Sequence, residues 1–259
     1  MAQWLVVAGA GMLQEEMWDV DHGEDGIVSK QELFQLWMNL PSQHKMTTPR
    51  LSLLNSNSNE CSVEDTSTGT TSMSMSDGTS TNIYGEACDI QVNVPIVEKG
   101  NTKTHVFVGE YDNSQSRVET FLPMSILHVQ MEPGSSWDMN MPSSYKTGIL
   151  YMRQGSGYTP SEQAEKQMID AHYTATLTPY GDKLEIEAGE DGADFMLLVG
   201  APLYEPVQAQ GSMVMNSNRE IGEAYDDYSK GKMGLPWDHK LTDDEWMEHV
   251  RKAPSVYHR

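Results

Sequence analysis

Short apolar runs separated by turn residues fill the second half of the chain and constrain its fold more than any other feature. Glycine stands between many of them, as in Pro133-Gly134 and Asp191-Gly192. Short runs at near-regular spacing with turn signals between them predict an antiparallel sandwich or barrel, so we predict an all-β core. The runs are residues 104–111, 124–132, 146–153, 172–178, 183–188 and 193–200, and the residues expected to face the core are Leu127, Val129, Leu150, Leu197 and Val199.

Helical signals are confined to the C-terminal end. Ser217 with Glu220, and Thr242 with Glu245, have the spacing of a capping box, in which a hydroxyl and a carboxylate each accept a backbone N–H. We therefore predict two short C-terminal helices, one after each box.

A polar low-complexity stretch interrupts the chain at residues 55–81. It has few side chains that could bury surface, so ordering it would cost conformational entropy without a compensating core. We predict a disordered insertion, either a phosphorylated segment or an inert linker. The predicted domains are an N-terminal domain at 1–54, the insertion and its flank at 55–93, a C-terminal β domain at 94–210 and a helical tail at 211–259.

The chain is strongly acidic, with 17 Lys and Arg against 38 Asp and Glu and a formal net charge of -21. Phosphate contacts need clustered cations, so this charge argues against direct binding to nucleic acid or to an anionic membrane. The two cysteines lack the spacing of a zinc module or a disulfide framework. No apolar run approaches the ~20 residues of a membrane span. We therefore expect a soluble protein of the cytoplasm, the nucleus or both.

Residues 21–32, DHGEDGIVSKQE, follow the donor spacing of an EF-hand calcium loop. Gly23 offers no side-chain ligand at the third position, and Gly9-Ala10-Gly11 stands where the entering helix should run. We favour a solvated acidic loop and keep calcium binding as an alternative. The donors would be Asp21, Asp25, Ser29 and Glu32.

Two long segments, FQLWMNLPSQHKMTTPR at 34–50 and GAPLYEPVQAQGSMVMNSNREI at 200–221, resemble motifs of the pirin family, a branch of the cupin superfamily. In that family they end the first and the second barrel, although Ser212 replaces the usual proline. The resemblance implies a cupin-type double-stranded β-helix, with a complete second barrel, a partial first barrel and short C-terminal helices. It also implies that residues 34–40 form a barrel strand rather than the exiting helix of an EF-hand.

The resemblance further implies where a metal would bind. Pirins hold one iron with three His and one Glu in the first barrel, and such ligands suit iron. In the matching motif, Glu16 falls on the ligand Glu, but Gln14 stands where a His is expected, and the H-x-H strand is absent. No cofactor is expected for the chain as written, and iron is expected only if the missing ligands are encoded upstream.

Four histidines are interpreted as ordinary surface or barrel residues. None has an H-x-H or H-x-x-x-H neighbour, and the family places no metal in the second barrel. They are His105, His128, His172 and His239.

The missing half-barrel has two explanations. The start codon is placed too late, which we favour, or the chain is a divergent paralogue whose first barrel decayed. Gln14 persists in either case, so impaired metal chemistry is expected even in a longer chain.

Three functions follow from these observations. The favoured one is a non-catalytic pirin-like module that contacts a protein partner, a transcription regulator by family resemblance. The first alternative is an iron-dependent, quercetinase-like dioxygenase with an upstream H-x-H strand, so enzyme status stays open. The second alternative is calcium binding at 21–32. The acidic surface indicates a basic partner surface.

Overall fold

The computed structural model describes residues 2–14, 32–55, 88–160, 167–234, 236, 238 and 240–252. The chain divides into two compact units, the first made of residues 1–6 and 51–204 and the second of residues 7–50 and 205–259. Nearly all of the low-complexity stretch lies outside the described residues, so its disorder stays a prediction. The predicted domain boundaries also stay a prediction.

The first unit is built from strands, which confirms the predicted all-β core. Its sequence alternates short apolar runs with turn residues, a pattern that suits strands with one buried face. The strands are β1 Ala2–Val7, β2 Arg50–Asn55, β3 Cys88–Asn93, β4 Ile96–Lys99, β5 Thr102–Val108, β6 Glu110–Tyr111, β7 Ser114–Gln115, β8 Met124–Met131, β9 Ser136–Asn140, β10 Thr147–Thr159, β11 Gln167–Asp170, β12 Thr174–Thr176 and β13 Lys183–Gly200.

Eight strands form the main sheet, in the order β11-β10-β13-β8-β5-β4, with β9 paired to β13 and β12 paired to β10. A smaller sheet has the order β1-β2-β3, and β6 pairs with β7. The longest strand, β13, pairs with β9 through its first part and with β8 through its second part. One strand therefore links two regions of the sheet.

The sequence predicted two strands separated by a turn at Asp191-Gly192 where the structure has the single strand β13, so that prediction was wrong. Gly192 has a φ of +79°, which bends the strand locally. The neighbouring β10 keeps pairing on both sides of the bend, from Gly157 opposite Ala188 to Gly155 opposite Ala193. The partner strand thus holds the two halves in one ladder.

The interior of the first unit is a packed apolar core. Inward positions alternate along β8, β10 and β13, as the two-residue period of a strand requires. Trp137 packs parallel to Tyr111 with ring centroids 5.3 Å apart and meets the edge of Phe195 at 5.5 Å. All five predicted core residues are confirmed, with exposed fractions of 0% for Leu127, Val129, Leu150 and Leu197 and 4% for Val199.

The irregular pairing of β10 depends on Gly155. Its φ is +68°, and a Cβ there would lie 2.1 Å from the carbonyl oxygen of Gly192. We expect Gly155→Ala to lower the free energy of unfolding by about 2–4 kcal/mol, because it combines a left-handed backbone with a backbone clash. Urea unfolding followed by circular dichroism measures the change.

Gly100→Ala is the matched control for this prediction. Gly100 has a similar φ of +58°, but a Cβ there would meet nothing within 4 Å. Its cost should be about 1–2 kcal/mol from the backbone conformation alone. Equal losses in the two variants would contradict the assigned clash.

The second unit contains the C-terminal helices. Its elements are a short 3-10 helix at Ser42–His44, β14 Gln208–Gln210, β15 Met213–Met215, α1 Asn218–Ser229 and α2 Asp243–Lys252. Both predicted helices and both capping boxes are confirmed: Ser217 Oγ accepts the N–H of Glu220 at 3.3 Å, and Glu245 accepts the N–H of Thr242 at 2.8 Å. Neither described α-helix is long and apolar enough to cross a membrane.

The barrel strand predicted at residues 34–40 is absent, although all of these residues are described. They lie in neither helix nor strand. Their large apolar side chains face solvent, with exposed fractions of 38% for Phe34, 43% for Leu36 and 64% for Trp37. A strand needs a hydrogen-bonded neighbour, and no strand of the described chain pairs with this segment.

Candidate functional site

The residues predicted for metal or calcium lie largely outside the described chain. Gln14 is described and exposed, and Glu16 is not described. Of the predicted calcium donors, Glu32 is described, whereas Asp21, Asp25 and Ser29 are not. Within the described ranges, no group of three His, Cys, Asp or Glu side chains could hold a metal ion. Both predicted sites therefore stay predictions.

The interior of the barrel in the first unit is filled by hydrophobic side chains. Phe195, Leu150 and Met152 are fully buried there. Its polar atoms are paired internally: Trp137 Nε1 donates to Thr104 Oγ1 at 3.0 Å. Burial raises the pKa of Tyr111 to about 12, which shows how strongly this interior disfavours charge. The interior is thus suited to stability rather than to polar chemistry.

A polar cluster lies on the outer face of the same sheet, where alternate residues of β8, β10 and β13 point away from the core. His128 Nε2 is 2.8 Å from Asp194 Oδ1, and Arg153 Nη1 donates to the two Asp194 oxygens at 2.8 and 3.0 Å. Arg153 Nη1 also lies 2.9 Å from His128 Nε2. His128 is buried, with 1% of its surface exposed. The three side chains form one network at the surface of the sheet.

The electrostatics of this cluster favour an ionised Asp194. Burial alone would raise its pKa, but the hydrogen bond from His128 and the charge of Arg153 outweigh burial and hold the pKa of Asp194 below its usual value. Beside the cluster, the ring of His105 stacks on that of His128 at a centroid distance of 5.4 Å. Burial, with the neighbouring His128 and Lys103, lowers the pKa of His105 and favours its neutral form.

An open groove of about 590 Å³ adjoins the polar cluster. It lies where the β4–β5 turn, the turn after β8 and the bend of β13 meet. Its charged lining comprises four carboxylates and one amine, namely Glu98, Glu132, Asp191, Asp194 and Lys103. Lys103 is 3.7 Å from Glu98, and Asp194 is neutralised by Arg153. Glu132 and Asp191 are therefore the carboxylates most available to a cation that enters the groove.

The second unit contains a separate polar network that joins the two segments with pirin-like motifs. Lys45 is 5% exposed, and its Nζ donates to Asn39 Oδ1 at 2.5 Å. Glu205 accepts the backbone N–H of Ser42 at 2.8 Å and the amide of Asn216 at 3.2 Å. The sequence analysis identified both segments but did not predict that they contact each other, because no local sequence pattern shows which distant segment lies against a buried lysine.

Lys45 should make stability depend on pH. Burial lowers its pKa, and the carboxylates of Glu205 and Glu220 only partly oppose this effect. The folded protein therefore releases this proton at lower pH than the unfolded chain does. The contribution of Lys45 to stability is complete above its ordinary pKa of 10.5, where the lysine is neutral in both the folded and the unfolded chain. This contribution is lost as pH falls through the lower pKa of the folded state.

The measurement is urea unfolding of wild type and of Lys45→Met between neutral pH and pH ~10.5. We expect the stability of wild type relative to Lys45→Met to increase with pH. A difference that stays flat or decreases would show that the Lys45 pKa is not lowered by folding.

The sheet-rich first unit, with its apolar interior, defines a β-barrel protein of the cupin type. A quercetin 2,3-dioxygenase from Acinetobacter baumannii, solved at 1.88 Å, has a similar fold with a TM-score of 0.56. The match covers 76% of this chain and 55% of that one, at 22% sequence identity. The predicted all-β, cupin-type fold is confirmed.

Sequence comparisons show which family the chain is similar to. Residues 126–234 match the profile of the Pirin C-terminal cupin domain. Pirin of Homo sapiens is 28% identical over 234 residues, which cover 90% of this chain and 65% of that protein. Pirin-1 of Arabidopsis thaliana is 28% identical over 238 residues, 90% of this chain and 66% of that protein. The chain thus spans 65–66% of the length of these relatives, and the predicted resemblance to the pirin family is confirmed.

Proposed function

We propose that this chain is a non-catalytic, pirin-like binding module. The observation that carries the proposal is the apolar filling of the C-terminal barrel, in which Trp137, Phe195 and Met152 occupy the interior. A small-molecule site needs an open cavity with a few well-placed polar groups, whereas the interior of this barrel is filled by packed hydrophobic side chains, so no such site is assigned to the C-terminal barrel.

The donor chemistry near the N terminus supports the same conclusion. Gln14 presents an exposed neutral amide where the family resemblance implies a histidine. A carboxamide is a weaker iron ligand than an imidazole, and Glu16 alone is not enough to hold iron against water. The described residues therefore do not fit the family's iron, and no catalytic step is assigned to it.

The surface that we assign to the partner is the groove beside Asp194. Its lining has an excess of carboxylates, and the whole chain carries a formal charge of -21. Both features favour a protein partner that presents Lys or Arg side chains, since complementary charge speeds association and selects partners. A transcription regulator with a basic surface is the partner class proposed from the family.

Iron loading tests the proposal that the chain is not a catalyst. We expect the purified chain, after incubation with ferrous iron and desalting, to retain far less than one iron per chain. We also expect no oxygen consumption with quercetin above the buffer rate, with the Acinetobacter baumannii quercetin 2,3-dioxygenase as positive control. Stoichiometric iron and quercetin turnover, both lost in Glu16→Ala, would overturn the proposal.

A basic peptide tests the binding surface. Fluorescence anisotropy with a labelled deca-arginine peptide should show weaker binding to the double variant Glu132→Gln, Asp191→Asn than to wild type. The matched control is Glu110→Gln, Asp170→Asn, which removes the same charge from exposed positions outside the groove. Equal weakening in the two double variants would assign the attraction to net charge and reject the groove.

A further inference from the structure

A row of three potential metal-binding side chains crosses the outer face of the main sheet. His105 of β5 pairs with His128 of β8, and His128 pairs with Met196 of β13. Side chains of directly opposed residues lie about 4.5–5.5 Å apart at Cβ. The thioether of Met196 and the two imidazoles therefore belong to one local cluster. Sequence reasoning missed it because the three residues are far apart in the chain.

The outer nitrogen atoms of the two rings are held by hydrogen bonds that fix the imidazole tautomers. We assign His128 Nε2–H as the donor to Asp194 Oδ1, because an unprotonated Nε2 would face the carboxylate at 2.8 Å with no proton between them, whereas Arg153 Nη1 can direct both of its hydrogens to the Asp194 oxygens. The Gln130 amide donates to Asp194 Oδ2 at 3.4 Å, and the side chain of Gln130 also hydrogen-bonds His105. Each ring thus uses one nitrogen as a donor to a neighbouring polar group.

The opposite nitrogen of each ring, Nδ1, is buried without a hydrogen-bond partner in the described part of the chain. Buried polar atoms are nearly always paired with protein, water or an ion. With Nε2–H donated outward, each Nδ1 carries a free lone pair. A carboxylate that holds the far side of a histidine is the usual support of a metal-binding imidazole. Asp194 gives His128 this support.

The side chains around the site favour an ion that has a low charge and binds soft donor atoms. Met196 lies among apolar side chains, including Phe107, Ile126 and Val92, and both Met196 and His128 are buried, at 7% and 1% exposed. Two imidazoles and a thioether are neutral ligands, and a divalent ion in an apolar site with neutral ligands keeps an uncompensated charge of two. Thioether and imidazole donors suit the soft monovalent ion Cu(I).

We propose that His105, His128 and Met196 form a binding site for monovalent copper on the outer face of the C-terminal cupin barrel. The site is independent of the proposed binding function, and it gives His105 and His128 a role that the sequence analysis did not assign to them. The ring centroids are 5.4 Å apart and the ring planes are 22° from parallel, so sharing one ion requires a rotation of at least one ring.

The test is an anaerobic Cu(I) titration against the chromophoric chelator bicinchoninate. The protein carries Cys61→Ser and Cys88→Ser, because thiolates are soft ligands that would compete for Cu(I). We expect one Cu(I) per chain to be withheld from the chelator. X-ray absorption at the copper edge should report both nitrogen and sulfur donors.

Three variants decide the assignment. Met196→Leu conserves volume, so the fold is kept, and we expect its Cu(I) affinity to fall more than about tenfold, at least as much as loss of an outer-shell partner would cause. Met152→Leu, a change of the same kind in the barrel interior, should leave the affinity unchanged. His105→Phe keeps an aromatic ring beside His128 but removes the imidazole ligand, so this variant should also fail to bind Cu(I).

Three outcomes would contradict the proposed copper site. A chain that yields all of its Cu(I) to the chelator has no site. Equal affinity in Met196→Leu and Met152→Leu would show that copper binds to other methionines. A His105→Phe variant that still binds Cu(I) like wild type would likewise overturn the proposal.

Discussion

Replacing Trp137 by alanine is expected to lower the free energy of unfolding by about 3–5 kcal/mol. Trp137 is 2% exposed and packs against Tyr111 and Phe195. Its loss leaves a cavity in a closely packed interior and removes the hydrogen bond to Thr104. Urea unfolding followed by far-ultraviolet circular dichroism measures the change, since tryptophan fluorescence would differ between the variants.

Trp37→Ala provides the matched control for Trp137→Ala. Trp37 is 64% exposed, and its truncation removes little buried area. We expect a change within about 0.5 kcal/mol. If the two tryptophan variants were equally stable, Trp137 could not occupy the core position described above.

Removing the arginine of the outer polar cluster is the second large change. The side chain of Asp194 is only 14% exposed in the wild-type protein, and Arg153→Met removes the cation that is paired with it. Breaking a buried ion pair by removing one partner costs about 3–5 kcal/mol, and residual exposure puts the expected loss at the lower end. Equilibrium urea unfolding at neutral pH is the measurement.

Two further variants separate the ion pair from other effects of Arg153. Arg153→Met combined with Asp194→Leu should recover part of the lost stability, because no unpaired charge remains. Arg219→Met removes a comparable contact to Glu223 on α1, where Arg219 is 76% exposed, and should cost less than about 0.5 kcal/mol. A double variant no more stable than Arg153→Met would reject the buried pair as the cause.

The pattern of apolar runs and turns predicted the barrel well because its information is local. Leu184 and Ile186 are buried and alternate with the charged residues Glu185 and Glu187, and such alternation indicates from the sequence alone which face of a strand is buried. Ser217 and Thr242 predicted helix starts for the same reason, since a capping box acts within four residues.

The sequence was less informative where distant segments decide the structure. The continuous strand β13 depends on pairing across β10, and the segment that includes Trp37 lacks the neighbour that a strand requires. The cluster of His128, Asp194 and Arg153 combines residues from three strands. No short motif marks them, so only the register of the sheet shows that they meet.

The division of the chain into two units determines the order in which the protein can mature on the ribosome. The first unit is complete once residue 204 has left the exit tunnel, whereas the second needs residues 7–50 and residues beyond 205. At about 5–20 residues per second, synthesis of the intervening chain takes roughly ten to thirty seconds. During this time Ser42 lacks Glu205, which accepts its backbone N–H in the folded second unit, so the early segment cannot make its final contacts until the C-terminal residues emerge.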